Sequence, residues 1–123
     1  MKQKTQTKDG TCFASLKTEK EISAIQDEIA KAEWVERNIR YLEAVKDGTR
    51  FKIVYLLLRH EQLCVCDLAN ILVVSSSAIS QHLRKLKDMN FVSVNRQKQT
   101  LFYSVKDNGF SKFFRSFNHE VKK

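Results

Sequence analysis

Hydrophobic residues recur at helical spacing through the first half of the chain. Ile22, Ile25 and Ile29 form one stripe of a helix that is predicted to begin at Glu19. A second helical pattern, on the same helix or a new one, extends from Trp34 to Val45. The first stripe is long enough to bury an apolar face against a neighbouring element or a second subunit.

The next pattern is apolar on nearly all of its sides. Asp47-Gly48-Thr49 combines a helix stop with a new N-cap. Phe51, Val54, Tyr55 and Leu58 then line one face, and further apolar residues occupy the others, namely Ile53, Leu56 and Leu57. A helix of this kind is expected at the centre of the core.

Two shorter helices and a hairpin follow. The first helix is predicted from Cys64 to Leu72, and the second begins after a Ser75 or Ser76 cap and ends at about Asp88. The core-facing positions are expected to be Leu68, Ile71 and Leu72 on the first helix and Ile79, Leu83 and Leu86 on the second. Residues 92–95 and 101–105 then alternate with a period of two around a polar loop at 96–100, which predicts a two-stranded hairpin.

The chain closes on a helical stripe of aromatic residues. Such a stripe must cover something, either a partner subunit or the core of its own chain, and both can hold together. The residues predicted to form a dimer interface are Ile22, Ile25, Ile29, Phe110, Phe113, Phe114 and Phe117. The order of elements predicts a mainly α fold with a β-hairpin wing, a dimeric winged helix-turn-helix.

Composition adds to this pattern without changing it. A length of 123 residues, no proline and three glycines suit one helix-rich domain. Residues 1–18 are polar and aperiodic, and we expect a mobile arm there that carries Cys12, followed by a DNA-binding and dimerisation domain at 19–123. No stretch is long enough to span a membrane or resembles a secretory signal, so a cytoplasmic location without a membrane partner is expected.

The charge favours a polyanionic partner. The net charge is +8, and residues 75–106 hold six basic residues and a single acidic one. We predict that double-stranded DNA is bound by the second short helix and the hairpin tip, with polar side chains reaching base edges and basic ones reaching phosphates. The predicted contact residues are Ser76, Ser77, Ser80, Gln81, His82, Arg84, Lys85, Arg96 and Lys98. For any single basic residue, a solvated surface position is the simpler interpretation.

Two cysteines stand at the start of the first short helix, the one that precedes the DNA-reading helix. Cys64 and Cys66 form a CxC sequence, which alone is a weak signal because a free cysteine often packs as a small hydrophobe. On a regular helix the two side chains would point about 200° apart, so they can chelate together only where the helix begins or is distorted. Thiolate ligands select soft or borderline metals such as Cd(II), Pb(II), Zn(II) or Hg(II). Cys12 is the only other thiol, and its arm could close over the pair from the same subunit or from the other one.

These segments resemble a known family. The run LCVCDLANIL, the run SAISQHLRKL and the hairpin end LFYSV are similar to the ArsR/SmtB metal-responsive repressors, above all to the CadC group. The resemblance covers about residues 34–105. It implies a homodimer that leaves its operator when Cd(II), Pb(II) or Zn(II) binds, so that metal efflux or resistance genes are transcribed. It also implies a metal site formed by Cys12, Cys64 and Cys66, with no organic cofactor and no enzymatic activity.

The chain departs from the family pattern at several positions. Leu16 stands where the CadC group often has a second arm cysteine, and Ala69 replaces the additional cysteine of the arsenite-sensing branch. The second metal site of the family would use Asp107, but Gly109 stands where its histidine belongs, and His119 and Glu120 do not fit its spacing. We therefore expect that second site to be absent or degraded. Val73 replaces the usual glycine of the helix-turn-helix turn.

Other functions for the thiols stay open at this stage. A redox-sensing regulator could form a disulfide from the same cysteines, and an arsenite-sensing regulator could use them as ligands. A thiol enzyme is disfavoured, because no redox βαβ pattern surrounds the pair and no base is placed beside it.

Overall fold

The computed structural model describes residues 16–116. In this range lie six helices, α1 (Glu19–Ala30), α2 (Glu33–Val45), α3 (Gly48–His60), α4 (Val65–Leu72), α5 (Ser76–Asp88) and α6 (Gly109–Ser116), and three strands, β1 (Leu63–Cys64), β2 (Val92–Gln97) and β3 (Thr100–Val105). The chain divides into two compact units, and the boundary falls between Arg37 and Asn38. None of the described helices is long and apolar enough to cross a membrane.

Side-chain caps fix the beginnings of three helices. Thr18 and Glu21 form a reciprocal capping box at the start of α1, and the Thr18 backbone N–H lowers the pKa of the Glu21 carboxyl. Asp47 caps α3 by accepting hydrogen bonds from the backbone N–H groups of Thr49 and Arg50. Ser75 caps α5 through the Ala78 N–H. The prediction of a helix start in the Asp47-Gly48-Thr49 run is therefore confirmed, with Asp47 as the cap residue, and of the two predicted caps Ser75 and Ser76 the structure uses Ser75.

The sheet is antiparallel, with the strand order β1-β3-β2. β2 and β3 form the predicted hairpin, and their last pair is Gln97 with Thr100. The turn therefore holds two residues, shorter than the polar loop that the sequence indicated. Lys98 opens this turn with a φ of 59°, the left-handed value that glycine usually provides.

The core is built around α3, as predicted. Ile53, Val54, Leu57 and Leu58 of this helix are buried, together with a set from the other elements of the same unit: Tyr41, Ala44, Val45, Leu68, Ile79, Leu83, Leu86, Phe91, Val92, Phe110 and Phe114. Leu72 is half-buried against this core, but Ile71 is 51% exposed. The prediction that Ile71 faces inward was wrong, because the core-facing stripe of α4 consists of Val65, Leu68, Ala69 and Leu72, and Ile71 lies off this stripe.

Helix α6 covers the core of its own chain. Phe110 and Phe114 are fully buried, and Phe110 stacks on Phe91 with ring centroids 4.0 Å apart. These two side chains have no surface left to offer a partner, which corrects their assignment to a dimer interface. Phe113 is half-buried with its ring 5.2 Å from Tyr41, while Phe117 lies outside the described residues.

Candidate DNA interface and thiol site

Helix α5 presents a continuous polar face. Ser76, Ser77, Ser80 and Gln81 are exposed along its first two turns, whereas Ile79, Leu83 and Leu86 fix its other side in the core. Arg84 and Lys85 are exposed further along the helix. Apolar anchoring on one side and free hydrogen-bonding groups on the other are what a helix needs to enter the major groove.

His82 differs from the prediction that it contacts DNA. Its ring lies between Asp47 and Arg50 of the α3 N-terminal region, and only 21% of its side chain is exposed. His82 Nδ1 lies 3.5 Å from Arg50 Nη1, and His82 Nε2 lies 4.0 Å from Asp47 Oδ1. Arg50 also donates from Nε to the Ala44 carbonyl over 2.7 Å. The histidine therefore helps to hold α5 against α3 instead of extending the exposed face.

The hairpin supplies the second basic element. Arg96 and Lys98 are exposed at its tip, next to the two-residue turn. Its base is tied to the body of the unit, because Lys106 donates its backbone N–H to the Phe91 carbonyl and its Nζ to Asn90 Oδ1. Asn108 Nδ2 donates to the Asn90 carbonyl in addition. The wing therefore has a fixed base and a basic tip.

The turn between α4 and α5 is closed by Val73. This residue adopts φ 55° and ψ 52°, the left-handed conformation, and it is 88% exposed. The backbone N–H groups of Val73 and Val74 both donate to the Ala69 carbonyl, as in helices that end on glycine. The turn thus keeps its usual geometry, although a β-branched residue stands at its critical position.

The two thiols flank the start of α4 but do not share a helix. Cys64 ends strand β1 and is the N-cap residue of α4, with an extended backbone at φ −96° and ψ 171°. Cys66 is the second residue of the helix and is exposed, whereas Cys64 is half-buried. The sequence placed both cysteines in the first helical turn and did not predict β1. The observed arrangement removes the constraint that would point the two side chains apart on a regular helix.

A surface depression of about 290 Å³ joins this thiol pair to the wing. One side is lined by Cys64, Val65 and Cys66, and the other by Gln99, Thr100 and Leu101. β1 brings the two sides together, because Cys64 pairs with Phe102 and Leu63 pairs with Tyr103 in the sheet. Sequence reasoning missed the wing side of this depression, since no local pattern indicates which residues a two-residue strand will pair with.

The described residues fit a soft metal only in part. Cys64 and Cys66 provide two sulfur donors, but within residues 16–116 no three His, Cys, Asp or Glu side chains come together as a metal site. A complete trigonal or tetrahedral site therefore needs at least one further donor. Cys12, the predicted third ligand, lies outside the described residues, as do His119 and Glu120.

The position of the family's second metal site is shaped differently in this chain. A Cβ atom added to Gly109 would lie 2.5 Å from the Tyr41 hydroxyl oxygen, closer than such atoms approach in proteins. Tyr41 is itself held in the aromatic core by ring contacts with Phe91 and Phe110. A histidine at this position would therefore collide with a core side chain.

Together α4, the Val73 turn, α5 and the hairpin define a winged helix-turn-helix, which is a class of DNA-binding protein. A family model described as "Bacterial regulatory protein, arsR family" matches residues 47–94, from the cap of α3 into β2. A transcriptional repressor SmtB homolog from Synechocystis sp. is 32% identical over 95 residues, which cover 77% of this chain and 71% of that protein. The chain belongs to the ArsR/SmtB family of bacterial transcriptional regulators.

Two other similar proteins extend the comparison. A cadmium resistance transcriptional regulatory protein CadC homolog from Staphylococcus aureus is 38% identical over 68 residues, 55% of this chain and 56% of that relative. The aligned region thus spans about half the length of this relative. The crystal structure of the transcriptional repressor PagR of Bacillus anthracis matches with a TM-score of 0.61 and 27% identity, over 72% of this chain and all of PagR. The predicted fold class and family are confirmed. The similar proteins are DNA-binding transcriptional regulators and not enzymes, which agrees with the prediction of no enzymatic activity.

Proposed function

We propose that this protein is a metal-responsive transcriptional repressor that binds operator DNA as a homodimer without metal and leaves it when Cd(II), Pb(II) or Zn(II) binds. Cys64 and Cys66 are the proposed sensing ligands, and Cys12 is the proposed third. The observation that carries the proposal is the position of the thiols. One is the N-cap and the other the second residue of α4, the first helix of the DNA-binding motif.

The DNA side of the proposal rests on the exposed residues of α5 and the wing. Ser77 and Gln81 can reach base edges, while Arg84 and the wing residues Arg96 and Lys98 suit phosphates. In a dimer, two such helices would enter successive major grooves about 34 Å apart. The exposed isoleucines of α1, Ile25 and Ile29, are the proposed pairing surface.

The metal side rests on donor chemistry. Sulfur ligands prefer soft and borderline ions, and a relative at 38% identity is named for cadmium resistance. Binding requires thiolates, so metal loading releases protons and the response should weaken at low pH. A hundredfold lower DNA affinity of the metal-bound protein corresponds to about 2.7 kcal/mol of coupling.

The test is a titration of the protein–operator complex with Cd(II), Pb(II), Zn(II), arsenite and peroxide, followed by fluorescence anisotropy. We expect release by at least one of the divalent metals, together with thiolate-to-metal charge-transfer absorbance. Cys64→Ser and Cys66→Ser should bind operator normally and stay bound when metal is added. Gln62→Ser, an exposed neighbour without a proposed role, should respond like the unaltered protein.

Three results would contradict the proposal. If both cysteine variants still release DNA normally with Cd(II) or Pb(II), the ligand assignment is wrong. Release by peroxide without metal would identify a redox sensor, and release by arsenite alone would identify an arsenite sensor.

A further inference from the structure

Cys64 belongs to the same sheet as the wing. In β1 it is the register partner of Phe102 in β3, and Phe102 is in turn the partner of Asn95 in β2. All three strands therefore meet at the level of the first sensing thiol. A change in the backbone at Cys64 acts directly on the central strand of the hairpin.

The depression beside the thiols is bounded by the wing itself. Thr100 and Leu101, which line it opposite the cysteines, are the register partners of Gln97 and Arg96. Leu101 is 38% exposed, so this side of the depression is not packed in the core. One step across the ladder thus separates the thiol depression from a basic side chain at the wing tip.

The DNA-reading helix α5 also packs on α4, but its buried face is anchored in the core. Ile79, Leu83 and Leu86 of α5 are fully buried, and His82 is held against Asp47 and Arg50. Moving α5 would require repacking a close-packed core, which resists small displacements. The exposed hairpin tip, with two turn residues and no core side chains, can move at lower cost.

We propose that ligand capture at Cys64 and Cys66 acts on DNA binding mainly through the wing, by displacing Thr100 and Leu101 and with them Arg96 and Lys98. This inference rests on the proposed metal-sensing function and adds the element that carries the response. A metal ion bound between the thiols would occupy the depression that the wing now borders. The wing would then no longer reach its phosphates, while α5 would stay in the major groove.

The first experiment compares how strongly metal lowers operator affinity in two variants. In Arg96→Gln/Lys98→Gln the wing charges are removed, and in Lys85→Gln a basic residue on α5 is removed instead. Cd(II) should weaken binding of the unaltered protein and of Lys85→Gln by roughly a hundredfold, within the usual range of coupling. In the wing variant the same addition should weaken binding by less than about tenfold, because the ion pairs that metal disrupts are already missing.

Salt dependence gives an independent measure. Two wing cations per subunit, four in a dimer, contribute about 3 to 4 to the slope of log affinity against log salt concentration. Cd(II) should lower the slope of the unaltered protein by about this amount and leave that of the wing variant nearly unchanged. An equal decrease of the slope in both proteins would mean that metal releases phosphates from another element, which would contradict the proposal.

A readout without DNA completes the test. Amide hydrogen exchange at residues 63–64 and 99–103 should change when Cd(II) is added to the unaltered protein, and should not change in Cys64→Ser. If Cd(II) gives no charge-transfer absorbance and no release, the proposed function itself has failed. If metal binds and releases DNA but exchange changes only in α4 and α5, and the wing variant keeps the full hundredfold response, the wing inference is overturned.

Discussion

Val73 illustrates how one residue can hold a functional turn at an energetic cost. Four non-glycine residues in the described chain have positive φ, namely Glu61, Val73, Asn90 and Lys98, and Val73 alone among them is β-branched. Asparagine tolerates this conformation well, whereas a branched Cβ crowds the following carbonyl. The turn that aims α5 is therefore built with a residue whose intrinsic preference opposes it.

Replacing Val73 with glycine should stabilise the protein. The left-handed conformation costs about 1–2 kcal/mol for an L-residue, and glycine removes this cost. The greater flexibility of glycine in the unfolded chain offsets about 0.4–1 kcal/mol of the resulting stabilisation. Little burial is lost, because Val73 is 88% exposed. Urea unfolding should show a gain of roughly 0.5–1 kcal/mol. Val74→Gly, at a half-buried neighbour, is the control and should destabilise; a loss of stability in Val73→Gly would refute the strain argument.

Asp47 should make stability depend on acidic pH. Hydrogen bonding from the Arg50 backbone N–H lowers the pKa of its carboxyl below the ordinary value of 3.8, and the charge of nearby His82 acts in the same direction. A carboxyl whose pKa is lower in the folded state stabilises it fully above the unfolded pKa. That stabilisation is lost as the pH falls from about 4 through the folded pKa.

Asp47→Asn isolates this effect, because asparagine caps helices about as well without titrating. The difference in free energy of unfolding between the two proteins should be constant near neutral pH and change below about pH 4. Asp47→Ala should cost about 1 kcal/mol at neutral pH, since the cap is lost altogether. A pH-independent difference between the aspartate and asparagine proteins would show that the charge of Asp47 contributes nothing.

At the scale of elements, the two halves of α5 differ in the DNA contacts that they are expected to make. Its early exposed residues are polar and uncharged, and its late ones are basic except for Asp88 at the end. Because base-edge contacts carry sequence information and phosphate contacts carry affinity, the two halves should respond differently to substitution.

Arg84→Gln should weaken binding to operator and to unrelated DNA alike and lower the salt slope by about 1 per subunit. Gln81→Ala should instead cost about 1–3 kcal/mol on the operator alone. Lys112→Gln on α6, outside the predicted interface, serves as the control for loss of charge. The assignment would be wrong if Arg84→Gln changed base preference while leaving the salt slope unaltered.

At the scale of the whole molecule, exposed apolar residues indicate which surface a second subunit could cover. Ile25 and Ile29 of α1 are 49% and 56% exposed, one helical turn apart on one face. Phe110 and Phe114, which carry a similar pattern in the sequence, are already buried in their own chain. The predicted dimer surface is thus reduced mainly to α1.

Ile25→Glu/Ile29→Glu should weaken dimerisation about a hundredfold or more, since each buried isoleucine contributes about 1.5–3 kcal/mol. Sedimentation equilibrium over a range of concentrations would measure this change, and operator affinity should fall with it. Ser23→Glu, an exposed position on another side of α1, is the matched control. Unchanged self-association in the isoleucine variant would move the interface elsewhere.

Elements with local signals could be predicted from the amino-acid sequence alone. Apolar spacing located α3 and α5, the run Asp47-Gly48-Thr49 and the pair Ser75-Ser76 marked their beginnings, and alternation located the hairpin. The exposed polar face of α5 followed from the same periodicity, because a helix with one buried stripe must present the other side to solvent. The thiols were found as a motif, since CxC needs no tertiary information.

Contacts between residues far apart in the chain could be identified only from the folded protein. The pairing of Cys64 with Phe102 places the thiols against the wing, and a two-residue strand has no period from which to predict this. His82 turned towards Asp47 and Arg50, and α6 packed on its own core, because both outcomes depend on long-range packing. Local sequence determines which residues can be buried, whereas the partner that buries them is set by the competition among all contacts in the folded chain.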